Sequence, residues 1–532
     1  MKIEKNIGDT NRKTDDILKA SAVAYIILII VVLPLYMKNG MVKIGDAKYL
    51  FYRNITLFFI CITVPLYLKK LQLKRFIFSR TDSFVMLYAG CTVLSYLISE
   101  YKEIAFWGYN DWYMGLITQL MLVWSYFFIS RYYDGSEMIW YLVIGSSLLI
   151  YGIAVLNRHH YDPLGVFRGM EMWEWNRKNL LSTIGNINWY SCYLSVSIPV
   201  SLYFLWNGKS FLFFMGGIGS FIGMLTLLTQ GSDSMLVAFV AVICILCISS
   251  LSCRESLICF IRVLILIPIS CILLKYTGIY LKRGRQIIEN TGGEFLIKWN
   301  GWWVILVCLL FFYTILYVRE KNNKEDYLKI KKIALYFKIL IGIGMFIVMF
   351  TIILATMSDV VWKCFGNNSM LRINDEWGTG RGGIWRLALQ GVTEGGCKQI
   401  MFGAGPDCFA AYMYRLYDIN KELGINGIWA DAVFANAHNE YLNMLVNGGI
   451  LGILSYGGIF FSAYYRFKKV SKDERIFVLG MMIIIGYMAN NFFCFQQVMS
   501  TPFIFIVLAV FEGLIRKESL TSFPTLPPKK NK

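Results

Sequence analysis

The chain has 532 residues, of which 57% are hydrophobic and 16% are charged, and its formal net charge is +18. Soluble globular proteins carry about 25% charged residues, whereas apolar runs of about 20 residues span a bilayer as helices. Because such runs recur along the whole chain, the composition excludes the soluble fold classes and predicts an all-α polytopic membrane protein. Basic loops that set membrane topology explain the positive charge, so no nucleic-acid partner is expected.

The predicted membrane helices number about 12 to 14. The first one follows a polar N-terminal segment and lacks a small-residue cleavage site, so we predict that it is retained. The second is the shortest. The fourteen apolar stretches lie near 18–37, 54–68, 82–99, 115–130, 138–156, 189–206, 211–229, 235–252, 257–275, 301–318, 333–356, 447–465, 476–495 and 498–515.

Clusters of lysine and arginine lie after the second, tenth and twelfth stretches and in the C-terminal tail. An even number of spans places these clusters on the side of the N-terminus, and basic loops are cytoplasmic. We therefore predict a plasma-membrane protein with both termini in the cytoplasm. Its predicted parts are a cytoplasmic segment 1–17, helices 1 to 11 within 18–356, a large extracytoplasmic loop 357–446, helices 12 to 14 within 447–515, and a cytoplasmic tail 516–532.

The predicted external loops carry more arginine than topology alone requires. The loop 357–446 is too long for a simple connection, and it contains short helical patterns. Because the planar fork of arginine suits phosphate and carboxylate, we expect the set to bind an anion at the membrane surface. Each arginine taken alone is also compatible with an ordinary solvated side chain. The external arginines are Arg158, Arg168, Arg177, Arg283, Arg285, Arg372, Arg381, Arg386 and Arg415.

A glycine-rich turn, "FGAGPDCF", leads into a predicted helix start at Pro406 and Asp407 in the same loop. A helix start offers free N–H groups to an anion. The spacing alone favours a plain tight turn.

His438 is one of only three histidines, and it stands where the large loop enters the twelfth predicted helix. A neutral imidazole flanked by Asn439 and Glu440, which could orient it, is suited to act as a general base. The alternative is a histidine that is hydrogen-bonded at the membrane interface.

Neither a metal site nor a cofactor is predicted, because no His, Cys or carboxylate spacing is typical of one. Three loop cysteines, Cys364, Cys397 and Cys408, allow one disulfide bond with one thiol left over, and the pairing stays open.

The stretch "AHNEYLNMLVNGGILGILSYG" resembles the HN-x-YL-x-x-L-x-x-x-G-x-x-G signature of the O-antigen ligase and O-antigen polymerase superfamily. Three other stretches resemble family segments in the same order: "STIGNINWYSCYLSVSIP", "GTGRGGIWRLAL" and "MFGAGPDCF". The resemblance extends from about residue 80 to about residue 515. Many members have Ser-Arg after the "LLTQ" run, whereas this chain has "LLTQGSDSM", with Asp233 near that place. Family chains are also shorter, so the segment 257–318 is interpreted as an added helix pair.

The resemblance implies chemistry on lipid-linked glycans at the outer membrane face, with His438 and the loop arginine Arg381 as catalytic residues. Substrate-binding roles are expected for Arg168 and Arg386, which would assist Arg381, and for Asn439 and Glu440. The same role is expected for Asn186 and Asn188 of the Gly-Asn-x-Asn stretch.

The expected activity is metal-independent glycan transfer without a cofactor. The donor would be a polyprenyl-pyrophosphate-linked glycan, and the acceptor a hydroxyl of a growing glycan, a lipid or a protein, which the residues do not distinguish. The alternative is a membrane transporter or a flippase of lipid-linked glycan. Such proteins place ionisable residues or broken helices near the middle of the membrane.

The charge pattern predicts that 357–446 lies outside the cell. Single cysteines introduced there, in a background without the native external cysteines, should react with a membrane-impermeant thiol reagent in intact cells. Protection of every position until the cells are permeabilised would contradict the orientation.

Overall fold

The computed structural model describes residues 2–71, 78–133, 135–170, 177–251, 253–277, 291–322, 327–366, 371–424, 433–471 and 474–521. These residues form helices almost throughout. A two-stranded antiparallel sheet of Leu180–Leu181 and Gly185–Asn186 precedes one of the central helices. The prediction of an all-α chain is confirmed for this part of the sequence.

The helices are numbered here in chain order. The first half contains α1 (Lys2–Ile26), a π-helical stretch Ile27–Val32, α2 (Leu33–Leu35), α3 (Ile44–Leu71), α4 (Arg80–Ile98), α5 (Lys102–Trp107), α6 (Leu116–Tyr132), α7 (Met138–Arg158), α8 (Ile187–Asn207), α9 (Ser210–Thr229), α10 (Ser234–Ser250) and α11 (Arg254–Tyr276). The second half contains α12 (Gly292–Lys298), α13 (Trp302–Asn322), α14 (Tyr327–Met357), α15 (Asp359–Cys364), α16 (Trp377–Glu394), α17 (Gly396–Phe402), α18 (Phe409–Leu416), α19 (Ile419–Glu422), α20 (Glu440–Val470), α21 (Ile476–Asn490) and α22 (Thr501–Thr521).

Eight helical segments within the described residues are long and apolar enough to cross a membrane: Arg12–Leu35, Ile44–Leu66, Arg80–Ile98, Met138–Arg158, Ser210–Thr229, Arg254–Tyr276, Trp302–Glu320 and Glu440–Val470. Three shorter apolar segments are Ser234–Ser250, Gly342–Met357 and Ile476–Asn490. Each of the fourteen predicted stretches coincides with a helix. Several boundaries differ. α1 already begins at Lys2, the stretch predicted to be shortest belongs to the 28-residue α3, α20 begins at Glu440 and not near 447, and α21 ends at Asn490 and not near 495.

The helix α8 lies at the centre of the packing, and its residues from Trp189 to Trp206 are all buried. Hydroxyl groups link it to its neighbours: Tyr151 donates to Ser197 over 2.7 Å, and the hydroxyls of Tyr190 and Thr226 lie 2.9 Å apart. Hydrogen bonds of this kind hold helices together where the surroundings are apolar. The Gly-Asn-x-Asn stretch at the start of α8 is therefore anchored to the centre of the protein.

The helix α20 is broken at Gly449, where φ is 65° and ψ is −166°. A break frees carbonyl groups, which must find other donors when they are buried. The glycine-rich turn of the large loop supplies them: Ala404 N–H donates to Val446 O, and Gly405 N–H donates to Asn447 O, each over 2.9 Å. The turn therefore serves as a clamp on the broken helix.

Two glycines allow the turn and the helix to approach so closely. A Cβ on Gly403 would lie 2.3 Å from the carbonyl carbon of Asn447, and a Cβ on Gly449 would lie 2.4 Å from that of Met401. The helix predicted to start at Pro406 and Asp407 begins only at Phe409. The N–H groups of Ala404 and Gly405 in the turn are bonded to α20, which agrees with the interpretation as a tight turn.

We predict that Gly449→Ala destabilises the protein, because the new methyl group meets the backbone of Met401 and φ is unfavourable for alanine. A strained backbone position of this type costs about 1–3 kcal/mol. The thermal unfolding midpoint of the detergent-solubilised protein should fall. Gly448→Ala is the matched control, since a Cβ on Gly448 would have no neighbour within 4 Å. Equal midpoints for both variants would contradict the clamp.

Candidate active site

His438 is held in a strained turn immediately before α20. Its φ is 49°, in the left-handed region. Its N–H donates to Asn436 Oδ1 over 3.0 Å, and the side chain of Asn439 caps α20 by accepting from Tyr441 N–H and Leu442 N–H over 3.0 and 3.1 Å. The two asparagines thus set the position of the histidine from both sides. Asn439, which was predicted to bind substrate, serves as a helix cap.

The imidazole of His438 is packed in an apolar and positively charged environment. Its ring meets Phe495 edge-to-face, with centroids 5.2 Å apart. Within the described structure, Nδ1 is buried and has no hydrogen-bond partner. Burial, and next the charge of Arg381, lower the pKa of His438 from 6.5 to about 3. The imidazole is therefore neutral at physiological pH.

Arg381 lies near the start of α16, where Gly378 and Gly380 both have positive φ. Its half-buried guanidinium makes no hydrogen bond or ion pair to any residue that the structure describes. Burial lowers the pKa of Arg381, and nearby Cys494 and Asp233 oppose this shift. The large loop thus brings a positive charge without a direct partner close enough to the neutral histidine to lower its pKa.

Asp233 lies close enough to Arg381 for the two charges to interact. Its carboxylate is already engaged, because Oδ1 accepts the N–H of Gly292 over 2.8 Å. Asp233 therefore brings the opposite charge near Arg381 without a direct ion pair between them among the described residues.

The two asparagines of the Gly-Asn-x-Asn stretch have different surroundings. Asn186 caps α8, since its Oδ1 accepts the N–H of Asn188 over 2.8 Å. Asn188 accepts from the hydroxyl of Ser232 over 3.2 Å, and its backbone oxygen lies 3.3 Å from the thiol of Cys494. Because Cys494 also neighbours Arg381, Asn188 is the member of this pair that lies near the site.

The other predicted site residues are not brought into direct contact with His438. Arg386 forms a bidentate pair with Asp375 on the exposed surface, over 2.9 and 2.7 Å. Arg168 is exposed, in the segment that precedes α8 and its sheet. Arg283 and Arg285 lie outside the described residues.

Cys364, Cys397 and Cys408 are free thiols, so none of the three possible disulfide bonds is present in the structure.

Glu440 faces a polar cavity beside the site. Its Oε2 accepts the N–H of Gln496 over 2.6 Å, and among the described residues no hydrogen bond joins it to His438. Asp407, Asn443 and Asn447 also line the cavity, whose volume of about 30 Å³ holds about two water molecules. Three buried oxygens, Glu440 Oε1, Asn443 Oδ1 and Asn447 Oδ1, have no partner within the described chain, which suits them to accept from water.

Asp407 is a residue whose part in this region was not foreseen from the sequence. Its carboxylate accepts the N–H groups of Tyr109 and Met114 over 2.8 and 2.9 Å and so ties the large loop to the segment before α6. Burial raises the pKa of Asp407 to about 7, although these two N–H groups oppose the shift. Phe495 and Cys494 were also missed, because they precede α22 without any recognisable motif.

No model of a known protein family matches the chain, and no curated protein matches it at a significant level. No group of three or more His, Cys, Asp or Glu side chains is placed to hold a metal ion in the described part of the chain.

We predict that His438 does not titrate between about pH 5 and about pH 8. In a variant with His159 and His160 replaced by glutamine, the remaining histidine resonance should keep the shift of the neutral ring over that range. Arg381→Ala should raise the pKa, since it removes a positive charge that disfavours imidazolium. A midpoint near the ordinary value of about 6.5 in the unsubstituted site would contradict the burial of this ring.

Proposed function

We propose that the chain is a glycan transferase whose donor is a glycan linked to a polyprenyl pyrophosphate. The observation that carries the proposal is the half-buried guanidinium of Arg381, which pairs with no carboxylate among the described residues and lies next to the neutral His438. One group is suited to bind an anion and the other to accept a proton. Transfer from a pyrophosphate leaving group requires both functions.

The electrostatics of Arg381 support an anionic ligand. Removing a charge from water costs free energy unless an opposite charge or hydrogen bonds compensate for it. Asp233 compensates only at a distance, because its carboxylate bonds to Gly292. A pyrophosphate would supply two or more oxygens to the guanidinium fork, which binds such groups in a bidentate manner.

The histidine provides the base. An acceptor hydroxyl would lose its proton to the imidazole of His438 while its oxygen forms a bond to the anomeric carbon. At the same time the bond from that carbon to the pyrophosphate oxygen breaks, and Arg381 stabilises the negative charge of the leaving group. Attack opposite the leaving group inverts the anomeric centre.

The donor itself would strengthen the base. In the free protein the charge of Arg381 disfavours protonation of His438. A bound pyrophosphate offsets that charge, so the pKa of His438 rises in the donor complex. General bases work best when their pKa lies near the working pH. Proton transfer is thereby favoured when the donor is in place and disfavoured in its absence.

The proposed setting is the outer face of the plasma membrane. The basic clusters support an arrangement of fourteen membrane helices with both termini in the cytoplasm and 357–446 outside. The acceptor is proposed to be a hydroxyl of a growing glycan, a lipid or a protein. These three acceptors define a polymerase, a ligase and an oligosaccharyltransferase, respectively.

A second candidate is a transporter or flippase of lipid-linked glycan, which the broken helix α20 favours. Transport sites are often built where a membrane helix is interrupted, with an ionisable residue such as Glu440 nearby. However, the carbonyls freed at Gly449 are already bonded by the 404–405 backbone, and the adjacent cavity holds only about two waters. Release of transferred glycan product by the purified protein, without a second compartment, distinguishes transfer from transport.

We predict that Arg381→Ala abolishes transfer while the protein remains folded in the membrane. Arg381→Lys should restore little activity, because a point charge does not reproduce the bidentate fork. The assay is transfer from a lipid-linked donor by purified protein. Arg415→Ala is the matched control, since Arg415 of the same loop is exposed and paired with Glu100. Full activity of Arg381→Ala would remove this residue from the site.

We predict that His438→Ala blocks transfer but leaves donor binding intact, because the proton acceptor is lost and Arg381 remains. General-base catalysis contributes about 10²–10⁴-fold, so kcat should fall within that range. His438→Gln should stay impaired, since an amide does not accept the proton. His159→Ala, which changes a histidine of another loop, is the control. A near-normal rate for His438→Ala would contradict the role of general base and would leave His438 as a histidine that only packs at the membrane interface.

A further inference from the structure

Two cysteines meet in the core next to the candidate site. Cys192 lies in the first turns of α8, and Cys494 lies in the connection 491–500 between α21 and α22. Their sulfur atoms are 2.9 Å apart, and both residues are fully buried. The thiols that the sequence suggested as candidates, Cys364, Cys397 and Cys408, are elsewhere.

We infer that Cys192 and Cys494 form a disulfide bond that fastens the connection 491–500 to α8.

The separation of the sulfurs supports the bond. Optimal non-bonded contacts between carbon atoms are about 3.5–4.0 Å long, and sulfur is the larger atom. The structure has the two residues as separate thiols, and a disulfide requires an S–S distance of about 2.05 Å, so the sulfurs would have to move about 0.9 Å closer together. The surrounding groups hold the pair in place: Asn490 Nδ2 donates to Cys192 Sγ over 2.9 Å, and the backbone oxygen of Asn188 lies 3.3 Å from Cys494 Sγ.

The location suits oxidation. The pair lies at the end of α8 that follows the loop 157–188, which the proposed topology places outside the cell, where disulfides persist. This step rests on the proposed topology and not on the proposed reaction. Since both side chains are buried in the finished fold, the bond would form before the connection 491–500 closes over α8.

The chemistry is thiol–disulfide exchange with an extracytoplasmic thiol oxidase that carries a reactive disulfide. The thiolate of one cysteine attacks one sulfur of that disulfide, and the other sulfur leaves as a thiolate. The thiolate of the second cysteine then attacks the mixed disulfide, which joins Cys192 to Cys494 and releases the oxidase as a dithiol. The two cysteines lose two protons and two electrons, and the oxidase gains them.

The bond would position the candidate base. The connection 491–500 carries Phe495 against the ring of His438, its Gln496 N–H donates to Glu440, and its Asn491 oxygen accepts the Glu440 N–H over 2.9 Å. Tying Cys494 to α8 fixes this connection close to its middle. Cys192 and Cys494 are therefore positioning residues for the pocket of His438.

The test uses the purified full-length protein, denatured in N-ethylmaleimide without reductant, digested and analysed by mass spectrometry. We expect one linked species that contains the Cys192 and Cys494 peptides and that disappears after reduction. Recovery of both peptides as separate maleimide adducts from the unreduced protein would overturn the inference. The peptide of Cys271, a buried free thiol in α11, should carry the adduct in either case and controls for complete labelling.

Variants test the pairing and its effect on the site. In Cys192→Ala, Cys494 should become labelled after denaturation, whereas Cys271→Ala should leave the linked species unchanged. A Cys494 that remains unlabelled in Cys192→Ala would mean a different partner and would also overturn the inference.

Loss of the bond should raise the pKa of His438 in the histidine titration, because the loosened connection admits water. An unchanged titration would overturn the positioning role. The peptide result does not depend on activity, so it stands even if the proposed transferase reaction fails.

Discussion

The bonding of the large loop to the broken helix α20 is the constraint on which the rest of the site depends. The break at Gly449 exposes the carbonyls of Val446 and Asn447, and the backbone of 404–405 satisfies them. This contact fixes the loop against the same helix whose first turn follows His438. Because the loop also carries Arg381, one set of backbone hydrogen bonds places the arginine and the histidine together. The close approach is possible only because both Gly403 and Gly449 lack a Cβ.

The electrostatic coupling of Arg381 and His438 gives the site its chemical character. A histidine beside an arginine in a buried pocket is a weak base, which at first sight argues against catalysis. The coupling becomes useful when an anion neutralises the arginine, because proton acceptance then depends on the ligand. An anion bound at Arg381 would offset only the smaller of the two causes that lower the pKa of His438, since burial is the larger one. Asp233 moderates the same charge from the other side.

Several residues that the motif singles out have structural roles. Asn439 and Asn186 cap α20 and α8, and Arg386 pairs with Asp375. The caps determine where the helices begin, and thus where His438 and Asn188 lie. Glu440, adjacent in sequence to the histidine turn, is directed by the helix toward a separate polar cavity.

The sequence by itself determined the helical fold class and the places of the apolar helices, and it singled out His438 and Arg381 as candidates, because hydrophobic run length, charge and residue chemistry are local properties. The tertiary structure alone decided which distant groups meet. The neighbours of the site, Phe495, Cys494 and Asp233, come from segments far from each other along the chain, and no local pattern records their proximity. The lowered pKa of His438 is likewise a property of the assembled pocket, since burial and the charge of Arg381 arise only when α16 and the start of α20 pack together.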